Sequence, residues 1–89
     1  MVKRSRLDII ADMLGAIQAK QGEIKPTHLM YKSNLSHGQM TGYLEELVSK
    51  DLVRKVRRKT YEYIIITDKG CDFVQKLREM HEFEKAFGL

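Results

Sequence analysis

The chain has 89 residues, a net charge of +4 and 43% hydrophobic residues. This length predicts one domain over residues 1–89 with a modest core. The single cysteine, Cys71, excludes an internal disulfide. With no secretory leader and no apolar run of about 18 residues, we expect a soluble, cytoplasmic protein without a membrane partner.

Positive charge is concentrated in one part of the chain. Residues 51–67 carry five Lys or Arg against two Asp or Glu, whereas residues 68–89 carry four against five. Five of the six residues from Arg54 to Lys59 are basic. Such a gradient favours a polyanionic partner such as nucleic acid, although net charge alone does not specify one.

The first predicted helix covers residues 6–20. Ser5 and Asp8 have the spacing of a capping box at its start. Its apolar residues cover more than half of the helical circumference, which is wider than one core-facing stripe requires. We expect it to end at Gln21 and Gly22, because glycine reverses a helix at the C′ position without a Cβ penalty.

Two further helices follow in close succession. An extended segment over residues 23–25 leads into a short helix over residues 26–32, whose first residue is the favourable proline. Ser36 and Gln39 form an S-x-x-Q capping box for a third helix over residues 37–50. Two short helices joined by a turn of about three residues have the spacing of a helix-turn-helix.

The third predicted helix has one apolar face and one unusually small face. Gly38 and Gly42 lie four residues apart on the small face. Each glycine costs about 1 kcal/mol of helix propensity relative to alanine. Two explanations are open: neutral drift on a solvent face, or a helix backbone that must approach another surface closely, such as the floor of a major groove.

The second half of the chain predicts a β-hairpin and a last helix. Residues 52–58 and 61–67 alternate as strands, and the second strand is the more apolar and is expected to be the better buried. Thr67 is expected to cap a helix over residues 68–86. That helix would be about 28 Å long, more than a domain of this size needs to cover its core.

The overlong last helix and the wide apolar surface of the first helix together predict a symmetric homodimer, because a two-fold interface reuses one patch. Residues 68–89 are expected to provide most of the contact. The alternative is that the end of this helix folds back on its own domain. The predicted interface residues are Ile9, Met13, Phe73, Leu77, Met80, Phe83 and Phe87.

No residue pattern in the chain points to catalysis. His28, His37 and His81 are far apart and lack companion ligands at metal-binding spacing. The sequence has no phosphate-binding Gly-rich loop and no nucleophile elbow. It therefore predicts a protein that is not an enzyme and that holds neither a metal nor a cofactor.

The element order is that of a winged helix-turn-helix, an α+β, mostly α fold with a three-helix core, a two-stranded wing and a long C-terminal helix. Arg6–Ile10, His28–Ser36 (HLMYKSNLS) and Tyr63–Gly70 (YIIITDKG) are similar to segments of archaeal winged-helix regulators. The resemblance covers nearly the whole chain. Such proteins are small, often dimeric transcriptional regulators or chromatin-like proteins, so the resemblance implies double-stranded DNA as the partner.

The resemblance also implies which residues contact DNA. The third helix would be the recognition helix, and the second helix and the basic hairpin, as the wing, would contact the phosphate backbone. Two alternatives remain open: a protein-interaction module that binds an acidic partner, and a non-sequence-specific, chromatin-like DNA binder. The expected DNA-binding residues are Lys25, Thr27, Lys32, Ser33, Ser36, His37, Gln39, Thr41, Arg54, Lys55, Arg57, Arg58 and Lys59.

Overall fold

The computed structural model describes residues 4–89, so the first three residues of the predicted domain lie outside the described part of the chain. Every predicted helix and strand is present, and each boundary lies within one residue of the prediction. The elements in chain order are α1 (Arg6–Ala19), β1 (Glu23–Ile24), α2 (Pro26–Lys32), α3 (His37–Ser49), β2 (Val53–Arg58), β3 (Tyr61–Ile66) and α4 (Asp68–Ala86).

The three strands form one antiparallel sheet in the order β1-β3-β2. The extended segment before α2 therefore adds a third strand to the predicted hairpin, with Ile24 paired to Ile64. On the other side of β3, Val53 pairs with Ile66. Ile64 is fully buried at the centre of the sheet, which confirms that the second strand of the hairpin is the better buried one.

One hydrophobic cluster joins the helices to the core-facing side of the sheet. Met13 belongs to this cluster and is 0% exposed, so its predicted place in a dimer interface is wrong. The apolar surface of α1 is wide, and Met13 falls in the part that faces the core. The buried apolar residues are Ile10, Met13, Leu14, Ile17, Ile24, Leu29, Leu35, Met40, Leu44, Leu47, Leu52, Val53, Ile64 and Val74.

All four helices of the described chain end in the same way, with a C′ residue in the left-handed region. These residues are Gln21 after α1, Asn34 after α2, Asp51 after α3 and Gly88 after α4, with φ values of 62°, 53°, 59° and 74°. After α1, the N–H of Gly22 donates to the carbonyl of Ile17 at 2.9 Å, as in a Schellman motif. The C′ residue of α1 is therefore Gln21 and not the predicted glycine, which follows it with a φ of 88°.

Both predicted capping boxes are formed, at the starts of α1 and α3. In the first, the backbone N–H of Ser5 donates to Asp8 Oδ2 at 3.0 Å. Hydrogen bonds from the Ser5 backbone and then its side chain hold the pKa of Asp8 below its usual value. The stabilisation from this carboxylate is therefore present above the usual aspartate pKa, and it is lost as the pH falls through the lowered value.

The base of the hairpin is held by a junction between the end of α3 and the start of α4. Thr67 Oγ1 donates to the carbonyl of Asp51 at 2.7 Å and accepts from the N–H of Gly70 at 2.9 Å, which confirms its predicted capping role. The N–H of Thr67 donates to the carbonyl of Leu52 at 3.1 Å. A Cβ on Gly70 would lie 2.2 Å from that same carbonyl oxygen, so this position has no room for a side chain.

Replacement of Gly70 by alanine tests this junction. The new Cβ would meet a backbone oxygen that cannot shift without losing its own hydrogen bond, so Gly70→Ala should lower the free energy of unfolding by about 1–3 kcal/mol. Thermal melts and denaturant titrations measure the loss. Gly15→Ala is the matched control, because a Cβ there meets no atom within 4 Å and should stabilise α1 by up to about 1 kcal/mol. Equal melting temperatures in the two variants would contradict the close approach.

Candidate nucleic-acid interface

Most of the polar side chains predicted to read DNA from α3 already form hydrogen bonds within the helix. Ser36 Oγ accepts from the N–H of Gln39 at 3.2 Å, and Gln39 Oε1 accepts from the N–H of Ser36 at 3.0 Å. Thr41 Oγ1 donates to the carbonyl of His37 at 2.8 Å. A bidentate contact between Gln39 and adenine would need Oε1, which already accepts a hydrogen bond in the capping box. His37 is exposed.

The two glycines of α3 are not required by packing within the described chain. A Cβ placed on Gly38 or Gly42 would meet no atom within 4 Å. Both residues are exposed. Crowding by a neighbouring element therefore does not explain them, and the choice remains between neutral drift and close approach by an external surface.

The residues predicted to contact DNA around α2 have different environments. Lys25 precedes α2, and its Nζ lies 4.3 Å from the centroid of the Tyr61 ring. Thr27 and Lys32 are exposed. Ser33 is 1% exposed, so its predicted DNA contact is wrong. As the C-cap residue of α2 it turns its side chain inward, and within residues 4–89 its Oγ has no hydrogen-bond partner.

Arg4 contacts the turn between α2 and α3, an interaction that the sequence did not predict. Its Nη1 donates to the carbonyl of Ser33 at 2.7 Å and its Nη2 to the carbonyl of Asn34 at 2.9 Å. The guanidinium also lies 3.1 Å from Asp12 on α1. Arg4 thus binds carbonyls that the end of α2 leaves free and joins the turn to α1. Arg4 and Ser33 are 29 residues apart in the sequence, so no local sequence pattern predicts their contact.

The wing presents its basic residues on two faces. Successive side chains of a strand point to opposite sides of a sheet. Lys55 and Arg57 therefore project on the same side as the buried Val53, which is the side of the helices. Arg54 and Arg58 project on the opposite side, the outer face of the sheet. All four basic residues of β2 are exposed.

The wing cations also differ in their ion pairs. Arg58 pairs with Glu23 on β1. Arg54 lies 3.5 Å from Asp51, and both side chains are largely exposed, so this pair contributes little. Three wing cations form no ion pair within the described residues: Lys55, Arg57 and Lys59.

Lys59 occupies an unfavourable position in the hairpin turn. Arg58 pairs with Tyr61, so the turn contains two residues, Lys59 and Thr60. Lys59 has a φ of 58°. Asparagine and glycine are preferred in such tight turns, and left-handed backbone costs a residue with a Cβ roughly 1–2 kcal/mol. The chain thus carries a basic side chain at the tip of the wing at a cost in local stability.

Residues 4–89 contain no group of three His, Cys, Asp or Glu side chains placed to hold a metal ion. In the same part of the chain, no helix combines the length and the apolar character that crossing a membrane requires.

A family model described as "Winged helix-turn-helix" matches residues 3–85. The chain belongs to this family. The match and the element order confirm the predicted winged-helix fold and the resemblance on which it rested. α2 and α3 are the helix-turn-helix of this winged-helix protein, and β2 and β3 are its wing.

Two relatives come from the archaeon Methanocaldococcus jannaschii. The uncharacterized protein MJ0287 is 31% identical over 80 residues, which cover 90% of this chain and 76% of the relative. The uncharacterized protein MJ0290 is 32% identical over 79 residues, covering 89% of this chain. The winged-helix chain spans only 35% of that second relative's length.

Solved structures show the same fold at low sequence identity. Sso10a-2, a DNA-binding protein from Sulfolobus solfataricus, is 18% identical with a TM-score of 0.80, and the match covers 94% of this chain and 85% of that one. A winged-helix DNA-binding protein from STIV is 17% identical with a TM-score of 0.77, covering 94% of this chain and 95% of that one.

Proposed function

We propose that this winged-helix protein binds double-stranded DNA through α3 and the wing, and that it acts as a transcriptional regulator. The observation that carries the proposal is the wing, where three basic side chains have no ion pair within residues 4–89 and one of them, at the tip, occupies a strained backbone position. The names of the neighbours from Sulfolobus solfataricus and STIV, both described as DNA-binding, support the same function.

The two parts of the proposed interface are placed to act together. α3 leads directly into β2 and packs against it. Lys55 and Arg57 project on the side of the sheet where the helices lie. A duplex that rests against the exposed start of α3 would have its phosphates within reach of these side chains, which position the protein without reading sequence.

The salt dependence of DNA affinity tests the wing. In a variant with Lys55→Gln, Arg57→Gln and Lys59→Gln, the slope of log affinity against log salt should become shallower by about 0.9 for each lost phosphate contact. Fluorescence anisotropy with a labelled duplex at several salt concentrations measures it. The control, Lys69→Gln with Lys76→Gln and Lys85→Gln, has the same net charge and should keep the slope of the unmodified protein. If both triple variants have the same slope, the wing does not contact phosphates.

Gly38 and Gly42 have their simplest explanation in this function. Each lowers the stability of α3, and neither is needed by the fold. A bare helix backbone can approach the edges of base pairs more closely than a helix covered with side chains. We therefore assign these glycines to the contact between α3 and the groove.

A double variant, Gly38→Ala with Gly42→Ala, separates function from stability. It should raise the free energy of unfolding by up to about 1 kcal/mol for each residue and weaken duplex binding by at least about tenfold, equal to about 1.4 kcal/mol. Gly15→Ala in α1 should give similar stabilisation per residue with unchanged DNA affinity. If the double variant is stabilised but binds as tightly as the unmodified protein, the glycines reflect neutral drift.

A second candidate function is non-sequence-specific DNA binding. It is favoured by the side chains of α3, because Ser36, Gln39 and Thr41 are engaged in the helix's own hydrogen bonds and few groups remain to read bases. Selection of bound sequences from a random duplex pool distinguishes the two functions. An enriched motif supports a regulator, and retention of many sequences without a motif supports the chromatin-like role.

We further propose a two-fold homodimer formed through the C-terminal half of α4. The helix begins against α1, but Met80, Phe83 and Phe87 are 42%, 62% and 69% exposed. The rings of Phe83 and Phe87 contact each other, with centroids 4.9 Å apart. A second copy of this surface would bury them, and Ile9, Phe73 and Leu77, which are partly buried, would border the interface.

Charge inserted into this surface should dissociate the dimer. Met80→Lys with Phe83→Lys would bury unpaired ammonium groups, so the dimer dissociation constant should rise more than about 100-fold. Sedimentation velocity over a concentration series measures the change. Ser49→Lys with Gln75→Lys adds the same charge at exposed polar positions and should leave the mass unchanged. A monomer at tens of micromolar in the unmodified protein would refute the dimer.

A further inference from the structure

Two contacts between cations and aromatic rings cross the outer face of the sheet. Arg58 starts on the edge strand β2, and its guanidinium carbon lies 5.5 Å from the ring centroid of Tyr63 on the central strand β3. Its Nη1 reaches Glu23 on the opposite edge strand, β1. The side chain of Arg58 therefore spans all three strands. Lys25, just after β1, reaches Tyr61 in a similar way.

These contacts lie where the sheet has little other support. β1 contains two residues, which pair with Ile64 and Ile65 near the base of the wing. From Tyr63 to the tip, the wing is a two-stranded ribbon with exposed or half-buried side chains. Isolated two-stranded hairpins are marginally stable in water. A contact from the outer part of the wing to β1 would restrict its motion relative to the helices.

The charge of Arg58 is satisfied within the protein. Its ion pair with Glu23 is partly exposed on both sides, at 56% and 32%, and would contribute little by itself. The planar guanidinium, however, also lies over an aromatic ring, an arrangement that lysine reproduces poorly. Arg58 thus differs from Lys55, Arg57 and Lys59, which have no internal acidic partner in the described chain.

We propose that Arg58 is a positioning residue of the wing. It joins β2 to Glu23 across Tyr63, holds the wing in one orientation relative to α3, and leaves the phosphate contacts to Lys55, Arg57 and Lys59. This inference rests on the proposed DNA binding. It changes the role that the sequence resemblance implied for Arg58, which was a direct phosphate contact.

Two variants test the role of Arg58. Arg58→Lys keeps the positive charge but removes the planar group that lies over the Tyr63 ring. The exchanged pair, Glu23→Arg with Arg58→Glu, keeps the net charge and sends an arginine across Tyr63 from the opposite edge strand to form the same ion pair. Each variant is examined by amide hydrogen exchange in the absence of DNA and by the salt dependence of duplex binding.

Arg58→Lys should speed amide exchange at Val56 and Tyr63 by at least about fivefold through local opening, while exchange at the core residues Leu14 and Ile17 stays unchanged and shows that the fold is intact. Duplex affinity should fall at least about fivefold with a nearly unchanged salt slope, because no phosphate contact is lost. The exchanged pair should restore both the slow exchange and the affinity.

If Arg58 instead contacts a phosphate directly, the two variants should give the opposite results. Arg58→Lys would then keep wing exchange and DNA affinity near those of the unmodified protein, and the exchanged pair would lose affinity with a slope shallower by about 0.9. Either result overturns the positioning role. The exchange measurement needs no DNA, so it decides the role of Arg58 even if the unmodified protein fails to bind a duplex and the proposed function itself is wrong.

Discussion

The close approach of Gly70 to the carbonyl of Leu52 fixes the base of the wing. Leu52 lies between α3 and β2, and Gly70 lies in the first turn of α4, just after β3. Thr67 adds hydrogen bonds to Asp51 and Leu52 across the same junction. The end of the helix-turn-helix, both ends of the hairpin and the start of α4 therefore meet at one point. Because of this, α3, the base of the wing and α4 cannot change their orientations independently, and the proposed dimer through α4 would set the distance between two proposed DNA-contacting surfaces.

Several residues of the proposed interface are poor choices for local stability. Gly38 and Gly42 weaken α3, and Lys59 adopts backbone geometry better suited to glycine. Local stability alone would favour the opposite arrangement, with side chains at positions 38 and 42 of the helix and glycine at position 59 in the turn. In most positions of a protein the residue type suits the local backbone conformation, and exceptions are most frequent at functional sites. Here the exceptions lie on the solvent-exposed parts of α3 and the wing tip, whereas Gly70 in the core-side junction is required by packing.

The sequence predicted the elements well because their signals are local. Two capping boxes, Pro26 and Thr67 determine where helices begin, and hydrophobic alternation determines the hairpin. Contacts between distant residues were missed, including the pairing of β1 with β3, the Arg4 contact with the α2–α3 turn and the Arg58 contact with Glu23. Two residue assignments were wrong for related reasons. Met13 was misplaced because a helical wheel does not show which part of a wide apolar surface faces the core. Ser33 was misplaced because residue polarity does not show that a C-cap side chain turns inward.

The hydrophobic core holds the hairpin only at its base, and this makes its length adjustable. Between the pair formed by buried Val53 and half-buried Ile66 and the turn, the strands contribute little to the core beyond Ile64. Inserting two residues in each strand would extend the wing by about 6.6 Å and keep every side chain on its present face. Inserting one in each would exchange the two faces and direct the unpaired cations away from the helices. Natural variation or design could therefore change the reach of the wing toward the proposed DNA partner in steps of two residues, without repacking the interior of the protein.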